Sequence, residues 1–471
     1  MNVDSGTGRT RRQTVAGVLG RLATRAGHRR LGGALAVLIA LAAGPLASAH
    51  PPDPTNGGAG GRIIRVTTLA RTGPGSLTEA IAAKGPRIIV FEVGGAIDLE
   101  RTVLKITEPF VTVAGQTAPS PGIALIRGGI DVKTHDVVLT HVSVYTGASE
   151  QPHFSGYEPD AFSTVSGDHV VVEHCTFMWA IDENMSASGP RFKGANLAEW
   201  RAGTSHDVVF RLNLAAEGLA NASHTKGEHS KGSLIHDNTT NIVFDRNIFA
   251  HNVERSPLVK GGSQVLMVNN LIYNPGRRAV HYNLLASEWV GREYVTGQIT
   301  AVGNAMRGGD DTQPGLPFLM LGGVGDLAYY GRDNLAVDRF GNALPMFGRY
   351  GLTSARLIES DHPLASLEGY DIMPSGEVET TLLLNAGARP WDRGHEEIRV
   401  LNFIAEGRGR IIDDEKEVAG YPEIPRTAAP FVEKDWDLQT MTPRSGRYPG
   451  QKAGAQENLS SRDKAMRKGD R

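Results

Sequence analysis

The sequence predicts an all-β chain wound as a right-handed parallel β-helix, a solenoid with a short N-terminal capping helix and a C-terminal wrapping tail. Three observations predict it. Short β-rich runs bounded by turn residues recur from Ile63 to Ala305, among them Val137 to Val144, Val170 to Phe177, Val208 to Leu214, Ile242 to Phe249 and Val265 to Tyr273. Five runs share a phase, in which an apolar stretch and a polar pair precede His174, Asn213, Asn247, Asn270 or Asn304. The step from Asn247 to Asn270 is 23 residues, and steps near 34 read as the same unit with an inserted loop. A propeller blade needs about 40 to 50 residues, so the period suits a single coil. Stacked coils put equivalent residues about 4.8 Å apart, close enough for asparagines at one phase to form a hydrogen-bonded ladder.

Along the chain, residues 1–49 carry seven arginines, an apolar run from Leu31 to Leu46 and Ala47-Ser48-Ala49. This is the pattern of a cleaved export signal, by the Sec or the Tat route, and predicts secretion to the periplasm or the exterior. The run is broken by glycines and a proline and is short for a bilayer span. Residues 50–61 read as a flexible leader and 62–425 as the β-helix. Ser76 and Glu79 form a capping box ahead of a short helix that would plug the first coil and cover its open edge. Residues 426–471 are polar, rich in proline and charge, and read as a wrapping, partly disordered tail.

Composition narrows the function. The 57 glycines and 6% aromatic residues fit a turn-dense β protein. Without its first 49 residues the chain carries 42 basic and 50 acidic side chains, which excludes a general nucleic-acid footprint. A polyanionic substrate would then need a locally cationic groove or a bridging metal cation. Cys175 is the only cysteine, so no intramolecular disulfide is possible, and its strand-like setting marks it as a small buried hydrophobe. Nothing points to an oligomer, and a monomer without membrane contact after signal removal is expected.

Arg255, Pro257 and Lys260 follow one such strand as Arg-x-Pro-x-x-Lys, and Lys231 lies 24 residues earlier, one coil away. Asp160 and Asp182 are 22 residues apart, so their carboxylates can stack on one face, with Glu183 adjacent. Oxygen donors grouped in this way suit calcium, which takes six to eight of them.

These segments resemble the pectate lyases. The likeness runs from about Ile63 to Pro425 through Gly-Pro-Gly-Ser-Leu-Thr-Glu-Ala-Ile at 73–81, Val-Phe-Glu-Val-Gly-Gly at 90–95, Ala-Gly-Gln-Thr-Ala-Pro at 114–119, Trp-Ala-Ile-Asp-Glu-Asn at 179–184 and Asn-Ala-Gly-Ala-Arg-Pro-Trp-Asp-Arg at 385–393. It implies a secreted enzyme that cleaves polygalacturonate by calcium-assisted β-elimination. Arg255 would be the base and Lys231 a catalytic and substrate-contacting cation. Lys260 would bind the uronate polymer, standing where the family signature has a second arginine. Asp160 and Asp182 match calcium ligands. Many relatives carry a further carboxylate where this chain has Ser186, and Glu183 is the residue that could replace it.

Other residues in this region have their own expected places. His229 and His251 are expected as groove walls, His229 binding substrate, and His174 as a ladder or core residue. With His236 they match no common zinc spacing. Trp179 would either stack on sugar or pack beside its turn.

Two rival functions are weighed against the lyase. A polygalacturonase-type hydrolase needs paired carboxylates, for which Asp310 and Asp311 are the candidates. A non-catalytic β-helix that binds polysaccharide would follow if Ser186 and Lys260 mark a decayed site.

Overall fold

The computed structural model describes residues 50–452. The export signal expected over residues 1–49 and the tail expected beyond 452 lie outside the described residues. The chain folds as a right-handed parallel β-helix. One face is an 11-stranded parallel sheet, from Arg62–Val66 at one end to Leu357–Glu359 at the other. Its inward positions form an aliphatic stack in strict register: Val137, Val170, Val208, Ile242, Val265 and Ile299. All six are buried, and each contributes about 1.5–3 kcal/mol by leaving water.

The remaining strands form two further columns, joined where the long strands Val93–Ile106 and Ile123–Val132 turn the corner between them. One column contains Ser143–Tyr145, Thr176–Met178, Leu214–Ala216, Ile248–Ala250 and Leu271–Tyr273. The other contains Phe162–Val165, Glu183–Ser188, Lys231–Ile235, Leu258–Lys260 and Val280–Leu284. The loops that lead into this last column carry most of the chemically distinctive residues.

The asparagine ladder is present at the corner between the first two faces. Asn213, Asn247, Asn270 and Asn304 each pass an Nδ2–H to the Oδ1 of the next asparagine, at 2.9–3.0 Å, and the row ends at Asn334, whose Nδ2 donates to the Ala301 carbonyl. The phase expected for His174 belongs to Cys175, whose N–H donates to Asn213 Oδ1 at 2.9 Å. His174 sits one position earlier, in left-handed backbone at φ 48°, and stacks on His141 with ring centroids 4.8 Å apart. A one-residue slip in a two-residue turn exchanges the ladder position for the turn position. Asn334 completes the ladder and lies past the last strand read from sequence. Cys175 is fully buried, and burial pushes its thiol up to about 12.

The N-terminal end is closed. Ser76 caps Leu77–Ala82 by accepting from Glu79 N–H at 3.2 Å, but the Glu79 carboxylate returns to Gly75 N–H at 2.7 Å, one residue before the expected box position. Leu77, Ala80 and Ile81 enter the core, and buried Arg87 donates to the carbonyls of Ala80 and Ile81 at the helix's open C-terminal end. The described part of the tail packs on the body. Thr427–Ala428 pairs antiparallel with Gly94 and Val93, and Phe431, Trp436 and Met441 pack on Ile88, Val90 and Ala114.

Two helices, Val378–Asn385 and His395–Glu406, cover the column that contains Leu271–Tyr273. Val378, Leu382, Val400, Leu401 and Ile404 are their buried contacts. The periodic apolar residues of the second, together with Gly407 in left-handed conformation at φ 69°, were the sequence signal for it.

Candidate active site

The site is built where loops enter the column of Glu183–Ser188 and Lys231–Ile235. Glu183 and Lys231 are register partners on neighbouring strands, and Lys231 bridges on to Glu254 in the next coil. Asp160 enters from the preceding coil and accepts from Glu183 N–H at 2.8 Å, which fixes the carboxylate beside that strand's start. Donor oxygens of Asp160, Asp182 and Glu183 lie within 4.8 Å of one another. Gly232 lets the next coil close in, since a Cβ there would sit 2.5 Å from the Arg255 carbonyl oxygen.

Three carboxylates this close repel each other's charge. Burial, then Glu183 and Asp182, raise Asp160 well above the usual carboxylate range. Burial also pushes Glu183 up to about 7, with Asp182 adding to it against the opposing charge of Arg255. For Asp182, burial is overcome by His229, whose Nε2 lies 2.9 Å from Asp182 Oδ1, and the carboxyl is held far below its ordinary value. Buried Ser186 Oγ lines the same cleft and has no hydrogen-bond partner. An all-oxygen donor set with one orphaned hydroxyl fits a hard cation such as calcium.

Cations face this group. Arg255 Nη1 donates to Glu183 Oε1, and its backbone is left-handed at φ 67°. Lys231 is buried, with Nζ 2.5 Å from Glu254 Oε1. Burial, helped by Arg255 and Arg277, pulls the Lys231 amine down to about 6. The close Glu254 carboxylate opposes that pull, and a contact this short favours the ammonium. Arg277 and Arg278 also pair with Glu254.

The expected residues divide into two groups. Asp160, Asp182, Glu183, His229, Lys231 and Arg255 come together. Lys260 lies on the same column but pairs with Glu288 beside Arg191, on the His236 side and apart from that group. His224 escaped the sequence reading. It stacks on His229 with centroids 3.5 Å apart, and its Nε2 lies 3.7 Å from Asp182 Oδ1. Its only signal was a histidine five residues before His229 in a Gly/Ser-rich loop.

His251 is not a groove wall. It is fully buried, takes an N–H from Asn274 Nδ2 at 3.0 Å, and burial lowers it to about 4. Trp179 is buried as well and donates to Glu217 at 3.0 Å, so it packs and does not meet sugar. Asp310 pairs with Arg339, and Asp311 accepts from Asn274 Nδ2 and Ile411 N–H at 2.8 and 2.7 Å. Both are held by structural partners, and the hydrolase reading loses its acid and base.

No family model matches the chain. It is 26% identical over 374 residues to probable pectate lyase C of Emericella nidulans, covering 78% of this chain and 77% of that one. Over 221 residues it is 31% identical to the protein of the same name from Aspergillus terreus. Its similarity is thus to proteins named pectate lyases. The Aspergillus terreus match covers 47% of this chain and 45% of its relative, less than half of either. Among solved structures, the major allergen from cedar pollen overlaps 70% of this chain and 90% of its own, with a TM-score of 0.47 and 16% identity. That overlap is too loose to bear on the site.

Proposed function

We propose that the chain is a calcium-assisted pectate lyase that cleaves (1→4)-α-D-galacturonan by β-elimination, leaving 4,5-unsaturated oligogalacturonates. The observation that supports this is the facing of the Asp160, Asp182 and Glu183 carboxylates with Arg255 and Lys231 across adjacent coils. Calcium held by those carboxylates, with Ser186 Oγ beside them, would neutralise a uronate carboxylate and so acidify the C5 proton.

The chain's own groups do the rest. Arg255, as the neutral guanidine, accepts the C5 proton and becomes guanidinium, the C4–O4 bond breaks as C4=C5 forms, and the leaving oxygen takes a proton from solvent. Lys231 faces the charge that develops on the carboxylate oxygens. His229 and Lys260 hold the polymer on either side. Export through residues 1–49 and action as a monomer belong to the same proposal. Among the described residues no helix is long and apolar enough to cross a membrane.

The test is ultraviolet-monitored cleavage of polygalacturonate with calcium and with chelator, beside Arg255→Ala. Calcium-dependent absorbance that the variant lacks supports the reading. Polymer binding without any new absorbance would return the chain to a non-catalytic binding protein.

A further inference from the structure

The outer face of the 11-stranded sheet carries a pattern that the proposed lyase chemistry does not use. Three successive strands open His135-Asp136, Asp168-His169 and His206-Asp207. Register places His135 beside Asp168 and Asp168 beside His206. Asp136, His169 and Asp207 share left-handed backbone, at φ 55°, 53° and 54°. Imidazole and carboxylate therefore alternate both along and across the strands. His135 Nδ1 lies 2.8 Å from Asp136, His169 Nδ1 2.9 Å from Asp168 Oδ1, and His206 Nδ1 2.8 Å from Asp207.

We propose that Asp168, His169 and His206 form a binding site for a divalent transition metal of the zinc class, separate from the carboxylate cleft. One donor atom from each of the three lies within 4.8 Å of the others. Zinc–nitrogen bonds of about 2.0–2.1 Å in a tetrahedron imply donor separations of about 3.3 Å. Each imidazole lies near that distance from one oxygen of the shared carboxylate, His169 Nδ1 2.9 Å from Asp168 Oδ1 and His206 Nε2 3.7 Å from Asp168 Oδ2. The two rings stand 80° apart with centroids at 6.2 Å, so they converge on the carboxylate and do not stack on each other.

A supporting shell is in place. Asp207 holds the Nδ1–H of His206, which leaves Nε2 with its lone pair toward Asp168, and Asn241 Nδ2 steadies Asp207 Oδ1 at 2.9 Å. Two imidazoles with one carboxylate suit zinc, copper or nickel, whereas calcium takes oxygen donors. The residues are partly exposed, so an ion enters without opening the fold and water completes its coordination. Bound there, it would clamp two adjacent coils. Because Thr55 donates to Asp136 at 2.5 Å, the leader is tied to the neighbouring coil.

The test uses the chain after chelator treatment, titrated with zinc by calorimetry and followed by thermal unfolding. The wild type and Asp182→Asn are expected to bind one zinc equivalent at this sheet and to unfold several degrees higher with it. The double variant H169Q/H206Q is expected to lose that equivalent, or to bind at least tenfold more weakly, while its calcium binding stays unchanged and so reports an intact fold. Single H169Q is the fallback if the double variant folds poorly, with the same weakening expected. Unchanged zinc stoichiometry and unfolding shift in the histidine variants, or zinc binding that only Asp182→Asn removes, would overturn the site. Neither outcome depends on whether the chain cleaves pectate.

Discussion

Arg255 Nη1 donates to Glu183 Oε1 across 72 residues of sequence. The candidate base and a candidate metal ligand are thus each other's partner. Glu183 cannot serve both fully: while it holds Arg255 it stabilises the guanidinium cation, and a cation that claims its oxygens releases the arginine. The contact couples cation binding to the availability of the base, within a single ion pair.

Replacing Arg255 by alanine should separate these roles. Turnover is expected to fall by about 10²–10⁴-fold, the usual worth of a positioned base. Calcium affinity should be no weaker, since Glu183 loses a competitor. Stopped assays of unsaturated product and calorimetric calcium titration check the two halves. A variant that keeps its turnover would remove Arg255 from the reaction.

Ser186→Asp should tighten calcium by roughly tenfold, because it puts a charged donor where an unpartnered hydroxyl already lines the cleft. Calorimetry reads this directly. Unaltered affinity would mean that Ser186 stands outside the coordination sphere.

Calcium binding should weaken as pH falls. Glu183 has a raised value of about 7 in the folded chain, so below that pH it carries a proton that calcium must displace. The sign for stability without metal is the reverse. The folded state binds the Glu183 proton more tightly than the unfolded state, so stability from this group is present at low pH and is lost as pH rises toward 7. Titrations at pH 5.5 and 8 should differ in the wild type and much less in Glu183→Gln. Equal dependence in both would assign the effect to Asp160, which is also raised.

Asn270→Ala should destabilise the coil stack by about 3 kcal/mol. Its Oδ1 accepts from Asn247 N–H and Nδ2–H, and its own Nδ2 donates to Asn304 Oδ1 and to the carbonyls of Phe244 and Val268. Removing it strands several buried polar groups, each costing about 1–3 kcal/mol. Denaturant titration measures the loss. A change below about 0.5 kcal/mol would mean that water takes over the ladder.

Much of this was legible because it is periodic. Runs ending at Asn213, Asn247, Asn270 and Asn304 reported both the coil length and the ladder, since a parallel stack repeats one local environment. His174 was misplaced because the turn holds two polar positions, and a histidine suits the left-handed one as well as asparagine suits its neighbour. The helix His395–Glu406 went unread because the β-helix pattern had ended before it.

By itself the sequence determined the solenoid and the capping helix and brought forward the charged residues proposed for the site, because residue type and coil spacing place them on one face. Only the tertiary structure decided which charges meet. Arg255 pairs with Glu183 and Lys231 with Glu254, His251 and Trp179 withdraw into the interior, and His224 joins Asp182. Spacing along a coil locates a residue on a face. Which partner it finds depends on loops of unequal length folding over that face, and no periodicity records them.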